Sequence, residues 1–162
     1  MDIRRATLAD AEAIRQIYNL EVTGSTATLD LVPRSVEEQA AWMVAHSGVY
    51  PVVVADEGGE VIGFASLSPY RPRPGYATAV EDSIYVRPDC TGHRVGSMLL
   101  GQLILDCTLE GCHSMVACIC GENVPSVALH TSLGFKQVGL LPEAGSKFGQ
   151  WLRLLIMQRP LR

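Results

Sequence analysis

The chain has 162 residues, 48% hydrophobic and 19% charged, with a formal net charge of -4. This is the composition of one globular domain and not of a disordered chain, and roughly 70% of the unfolded surface of a chain this long is buried on folding. The small acidic excess argues against nucleic acid, which demands clustered Lys and Arg.

The start, Met1-Asp2-Ile3-Arg4-Arg5, lacks the apolar core of a signal peptide, and no apolar run approaches the ~18 residues of a membrane span. No membrane association is expected. Cys90, Cys107, Cys112, Cys118 and Cys120 are an odd number crowded into one third of the chain. They read as reduced thiols in a cytoplasmic protein. A zinc site is the competing reading, but the spacings lack a CxxC pair and a His pair, so no metal is expected.

Ile3 to Arg5 reads as a short strand. Thr7 to Asp10 signals a helix start, with Ala11, Ile14, Ile17 and Tyr18 at helical spacing. A polar connection follows from Gly24 to Pro33. Ser35 caps a second helix, with Glu37 and Glu38 in its first turn and Ala41, Trp42 and Val44 on its apolar side. Pro51 to Asp56 is a buried strand. Glu57-Gly58-Gly59-Glu60 turns it into a partner from Val61 to Ser68. Pro69 to Gly75 is too rich in Pro and Arg for regular structure. Ala79 to Val86 is a strand and Arg87 to Arg94 a polar loop. Val95 to Leu109 is a long buried helix carrying Val95, Met98, Leu99, Leu103 and Leu105. Met115 to Cys120 is a strand, and Val124 to Leu133 a helix ended by Gly134. Phe135 to Leu140 and Trp151 to Gln158 are the last strands, around a loop from Pro142 to Gly149. The order β-α-α-β-β-β-α-β-α-β-β predicts one α/β layered domain over 1–162, without linker or repeat.

Two segments carry chemistry. The first is a strand, a polar loop and a helix start, Ile84-Tyr85-Val86, then Thr91-Gly92-His93-Arg94-Val95-Gly96-Ser97. A helix start offers unpaired N–H groups and the positive end of a dipole, which suit phosphate. The segment has neither a P-loop Gly-Lys-Ser/Thr nor dinucleotide glycine spacing. Alone, it is equally an ordinary strand-to-helix turn. The second is Asn123, Ser126 and His130, at i, i+3 and i+7 on one helix face. Here the bland alternative is a capping Asn123 and a solvated His130.

Together, Ile84 to Ser97 and Asn123-x-x-Ser126-x-x-x-His130-x-x-Leu133-Gly134-Phe135 resemble the Gcn5-related N-acetyltransferase (GNAT) superfamily. More narrowly, the chain resembles the phosphinothricin and methionine sulfone/sulfoximine acetyltransferase branch. That likeness runs through Ile17-Tyr18-Asn19, Ser25 to Thr28, Val80 to Val86 and Gly145 to Trp151. It implies a mixed, mostly antiparallel sheet splayed at a cleft for acetyl-coenzyme A. The cofactor residues implied are Ile84, Tyr85, Val86, Thr91 to Ser97, Asn123 and Ser126. Thr91 stands where the family has Gln or Arg, and Arg94 replaces its first loop glycine. Arg94 either adds a charge-assisted contact or clashes if its position needs a positive φ.

The resemblance further implies direct attack of a substrate amine on the acetyl thioester. Glu81 is the candidate base, against the plain reading of a surface carboxylate. A backbone N–H near Tyr85 or Val86 would hold the oxyanion. His130 is expected as acid for the coenzyme A thiolate, helper of Glu81 or hydrogen-bond donor. Arg71 and Arg73 would read a substrate carboxylate, with Arg71 the stronger candidate, and Thr28 would line the substrate side. Lys147 and Trp151 would reach a partner's cleft in a homodimer. Two alternatives to a small amino-acid-like acceptor stay open, a non-catalytic acetyl-coenzyme A sensor and an enzyme acetylating a protein amine.

Overall fold

The computed structural model describes residues 1–162 and has the expected element order. The strands are β1 (Asp2–Arg5), β2 (Val52–Glu57), β3 (Glu60–Pro69), β4 (Ala79–Val86), β5 (Ser114–Cys120), β6 (Lys136–Lys147) and β7 (Gln150–Pro160). The helices are α1 (Ala11–Gly24), α2 (Val36–Ala45), α3 (Val95–Leu109) and α4 (Val124–Ser132). One seven-stranded sheet runs β1-β2-β3-β4-β5-β7-β6. Only β4 and β5 pair in parallel.

Both faces of the sheet are covered, which explains the unbroken apolar run of β2. Side chains alternate along a strand. Val52 and Val54 accordingly belong to one core cluster with Ile14, Ile17 and Val22 of α1, while Val53 and Ala55 belong to the other with Leu99, Leu103 and Cys107 of α3. The β2–β3 turn is the predicted two-residue hairpin, with positive φ at Gly58 and Gly59.

Three expectations need correction. In α2, Ala41 and Val44 are exposed and the buried residues are Gln39 and Met43. The Oε1 of the buried Gln39 accepts from Arg34 Nη1 at 3.1 Å. In α3, Met98 and Leu105 lie on the open side, and Leu100 and Ile104 take core positions instead. The loop placed at Pro142 to Gly149 is largely strand. Between Leu141↔Leu154 and Gly145↔Leu152 the ladder absorbs Pro142, Glu143 and Ala144 as an irregularity, and β6 runs on to Lys147. An edge strand tolerates proline because its N–H is not needed. The chain then turns on Phe148 and Gly149, both with positive φ.

The feature that positions the site is a gap in the sheet. The strands β4 and β5 pair only at Ala79↔Ser114, Val80↔Met115 and Glu81↔Val116. Beyond Glu81, β4 stays paired with β3 as far as Val86, and β5 with β7 as far as Cys120. The two strands part into a V with Glu81 at its apex.

Candidate active site

The V opens into a cleft of about 760 Å³. It is lined by Ile84, Tyr85 and Val86 of β4, by Thr91, Gly92 and Arg94 to Ser97 at the entry to α3, and by Asn123 and Ser126 of α4. Of the expected cofactor residues, only His93 is not part of the lining; it is exposed. The cleft also takes Glu21, Ser25, Thr26 and Ala27 from the end of α1 and the connection after it. These had no assigned cofactor role, because only the fold brings that connection to the mouth of the V.

Backbone polarity follows from the ladder. Arg87 N–H donates to Ile62 O of β3 at 2.9 Å. Peptide groups alternate along a strand, so the N–H of Tyr85 also points to β3, while those of Ile84 and Val86 point into the cleft. Tyr85 is thereby removed as an oxyanion donor, and Val86, whose N–H does point inward, lies at the mouth of the V, five residues beyond Glu81.

The start of α3 is built for an anion. Its first internal bond runs from Met98 N–H to Arg94 O at 3.0 Å, so the N–H groups of Val95, Gly96 and Ser97 have no partner within the helix. Gly96 packs closely on α4: a Cβ there would lie 3.1 Å from Leu129 Cδ2. Arg94 caps this helix at φ 62° and ψ 13°. The replacement for the family glycine therefore does sit in a left-handed conformation. The Thr91 hydroxyl is already spent on Pro88 O at 3.1 Å.

Glu81 is half-buried and faces the Cys118 thiol. Burial first, then the hydrogen bond and charge of Glu81, push Cys118 up to about 12, and Arg71 opposes the shift. Arg71, on the loop after β3, is thus near enough to Cys118 to act on its charge. Arg71 is exposed, with its guanidinium 4.8 Å from the Tyr70 ring centre. Arg73 is exposed and only precedes a 3-10 turn at Pro74–Tyr76.

His130 is held within the protein by both of its ring nitrogens. It is 4% exposed, so it is not solvated. Its Nε2 lies 2.9 Å from Asp82 Oδ2, and its Nδ1 lies 2.7 Å from Ser126 O. Neither nitrogen is free for substrate or thiolate. Asp82 follows Glu81 on β4 and so faces the opposite side of the sheet, which separates His130 from Glu81. Burial pushes the His130 pKa down, but the hydrogen bond and charge of Asp82, with the Ser126 carbonyl, outweigh burial and leave it raised. Asp82 carries no signal of its own in the sequence beyond its place beside Glu81. Asn123 does cap α4, its Oδ1 accepting from Ser126 N–H at 3.2 Å.

Lys147 and Thr28 are also occupied. Lys147 is 3% exposed and donates through Nζ to Thr28 O at 2.8 Å and Glu21 O at 3.3 Å. It pins its own chain's α1–α2 connection and cannot extend into a second copy. The Thr28 hydroxyl is bonded to the Tyr18 hydroxyl at 3.0 Å and to Asp30 N–H at 3.1 Å. Trp151 is exposed.

A parted parallel strand pair with a helix start at its mouth makes a cleft suited to a phosphate-bearing ligand, and comparison with known proteins gives its class. Residues 12–135 match the family model described as acetyltransferase (GNAT) family. The chain belongs to this family and is an N-acetyltransferase. It is 42% identical over 158 residues to an L-methionine sulfoximine/L-methionine sulfone acetyltransferase of Pseudomonas paraeruginosa, covering 96% of this chain and 92% of that one. It superposes with a TM-score of 0.95 and 42% identity on a phosphinothricin acetyltransferase from Sinorhizobium meliloti in complex with AcCoA, covering 98% of this chain and 87% of the other. A ribosomal-protein-alanine N-acetyltransferase from Brucella melitensis gives a TM-score of 0.96 at 37% identity, with 99% of each chain covered.

Proposed function

We propose that the cleft binds acetyl-coenzyme A and that the protein transfers the acetyl group to the amine of a small amino-acid-like molecule of the methionine sulfone, methionine sulfoximine or phosphinothricin type. The observation that carries this reading is the V between β4 and β5, with a carboxylate at its apex and an anion-binding helix start at its mouth. The free N–H groups of Val95, Gly96 and Ser97 hold the pyrophosphate. The open edges of β4 and β5 pair with the pantetheine amides like an added strand. The acetyl carbonyl then lies nearer the apex, by the inward N–H of Ile84, a donor worth roughly 3 kcal/mol to the oxyanion. Glu81 takes the amine proton, directly or through a water. The amine nitrogen bonds to the carbonyl carbon, the C–S bond breaks, and the thiolate takes its proton from solvent.

Arg71 reads the substrate carboxylate. Arg71→Ala is expected to raise KM for an amino-acid substrate, and to leave KM for the matching amine without a carboxylate nearly unchanged. A lost charge-assisted contact costs roughly 1.5–3 kcal/mol. Equal losses on the two substrates would remove Arg71 from this role. The likeness to the Brucella enzyme favours a second acceptor, the amine of a protein N-terminus.

Arg94 adds charge to the phosphate site. Its left-handed backbone costs roughly 1–2 kcal/mol, which glycine avoids. Arg94→Gly is therefore expected to stabilise the fold in urea unfolding. The same variant weakens acetyl-coenzyme A binding, or leaves it unchanged with a shallower salt dependence, because an exposed guanidinium is screened by salt. Tighter binding by the glycine variant would mean that Arg94 obstructs the loop.

We also read the protein as a cytoplasmic homodimer. Five free thiols suit a reducing compartment. The edge strand β6 exposes Val138, Leu140 and Leu141, and neighbouring β7 exposes Trp151, apolar side chains at a sheet edge that a second copy could cover.

A further inference from the structure

Asp82 and His130 meet where the sheet gives way. Asp82 is the first residue of β4 beyond the last shared ladder position, Glu81↔Val116. His130 lies on α4, which follows β5. Their hydrogen bond therefore joins the two walls of the V just beyond its apex. Both side chains are almost fully buried.

The surroundings of the ring dictate its charge. Nε2 faces the Asp82 carboxylate at 2.9 Å, and Nδ1 faces the Ser126 carbonyl at 2.7 Å, with the Ser126 hydroxyl at 3.4 Å. A neutral imidazole has one N–H and would leave one of these acceptors facing a lone pair. An imidazolium satisfies both. Asp82 Oδ1 has no partner in the protein, so His130 alone balances the carboxylate. Asp82, from β4, is the charged group acting on the ring, α4 contributes only Ser126, and Phe135 stands edge to face with its ring centre 5.0 Å away.

We propose that Asp82 is a positioning residue for the acetyltransfer reaction: it holds His130 as a buried imidazolium, and this ion pair is the strut that fixes α4 against β4 where the strand ladder is missing. The helix so fixed carries Asn123, Ser126 and Leu129 into the cleft. Leu129 also packs on Gly96, in the first turn of α3. The strut therefore sets the width of the cleft and the placement of the phosphate-binding turn, and His130 transfers no proton in the reaction. The kinetic consequence rests on the function proposed above; the charge of the ring does not.

The test combines nitrogen-15 NMR of labelled histidine with binding and rate measurements on wild type and Asp82→Asn, a substitution of equal shape. The four histidines are assigned by difference, using His130→Gln. Wild-type His130 is expected to show both ring nitrogens protonated at pH 7.5, and in Asp82→Asn to show a neutral ring. Calorimetry should show weaker acetyl-coenzyme A binding in Asp82→Asn, and kcat/KM should fall roughly 10²-fold, the cost of a small misplacement. The pH at which the base limb of kcat titrates should not move. A neutral ring in the wild type would overturn the proposal. So would unchanged acetyl-coenzyme A binding in Asp82→Asn, or a kcat limb that vanishes with Asp82. If no amine is turned over at all, the NMR and calorimetry still decide the strut, and only the acceptor reading fails.

Discussion

Glu81→Gln is expected to lower kcat at pH 7 by roughly 10²–10⁴-fold, the usual worth of a positioned general base. Glu81 is the last residue of β4 that pairs with β5, so the strand geometry delivers its side chain to the point where the V begins. An α-ammonium is mostly protonated near neutral pH and must lose a proton before it can attack. Glutamine keeps the shape and polarity of the side chain but cannot accept that proton. The first turn of α3 is untouched, so acetyl-coenzyme A affinity should stay at the wild-type value. Steady-state rates with excess amine, and calorimetry with the cofactor, separate the two effects. A variant that keeps most of its rate at pH 7 would place the base elsewhere.

His130→Ala should destabilise the fold by about 3–5 kcal/mol, because it strands a buried carboxylate. Asp82 Oδ1 is already without a protein partner, and the substitution removes the partner of Oδ2 as well. Adding Asp82→Asn in the alanine background removes the stranded charge and should recover part of the loss, a coupling that urea midpoints of the four proteins can measure. The pH dependence has a definite sign. The folded pKa of His130 is raised above its ordinary value, so protonation favours the native state. Its contribution is complete below about pH 6.5, the unfolded value, and is lost as pH rises through the raised folded value. Wild-type stability should decline across that window more steeply than that of His130→Ala.

Local chemistry explains what was legible beforehand. Hydrophobic periodicity and turn residues yield the element order, because β2, α1 and α3 bury apolar side chains at strand or helix spacing. The cleft lining was legible at β4, the α3 entry and α4, where a strand, a helix start and a cap fall close together in the chain. What escaped depends on distant pairs. Asp82 and His130 are 48 residues apart, and nothing in either neighbourhood announces the other. Lys147 was expected to reach a partner's cleft, yet it bonds the carbonyl of Thr28 in its own chain, 119 residues away. The length of β6 was hidden by Pro142 and Gly145, ordinary loop signals that an edge strand accommodates. Gly145 has its own reason: a Cβ there would come within 2.8 Å of Leu29 on the α1–α2 connection. Arg94 is the intermediate case. Its departure from the family glycine was visible in the sequence, but its φ of 62° needed the backbone.

The central claim is that the acetyl group passes from the cofactor to the amine of a small amino acid. Its most direct test is thiol release from acetyl-coenzyme A with mass detection of the product, across methionine sulfone, methionine sulfoximine, phosphinothricin, a polyamine and an alanine-initiated peptide. Thiol release should match N-acetylated amino acid one for one, with at least one of the first three the preferred acceptor and almost none released without amine. Acetylation of the peptide with none of the three small acids modified would contradict the small-substrate account, and tight cofactor binding without acetyl transfer to any amine would contradict the enzyme itself.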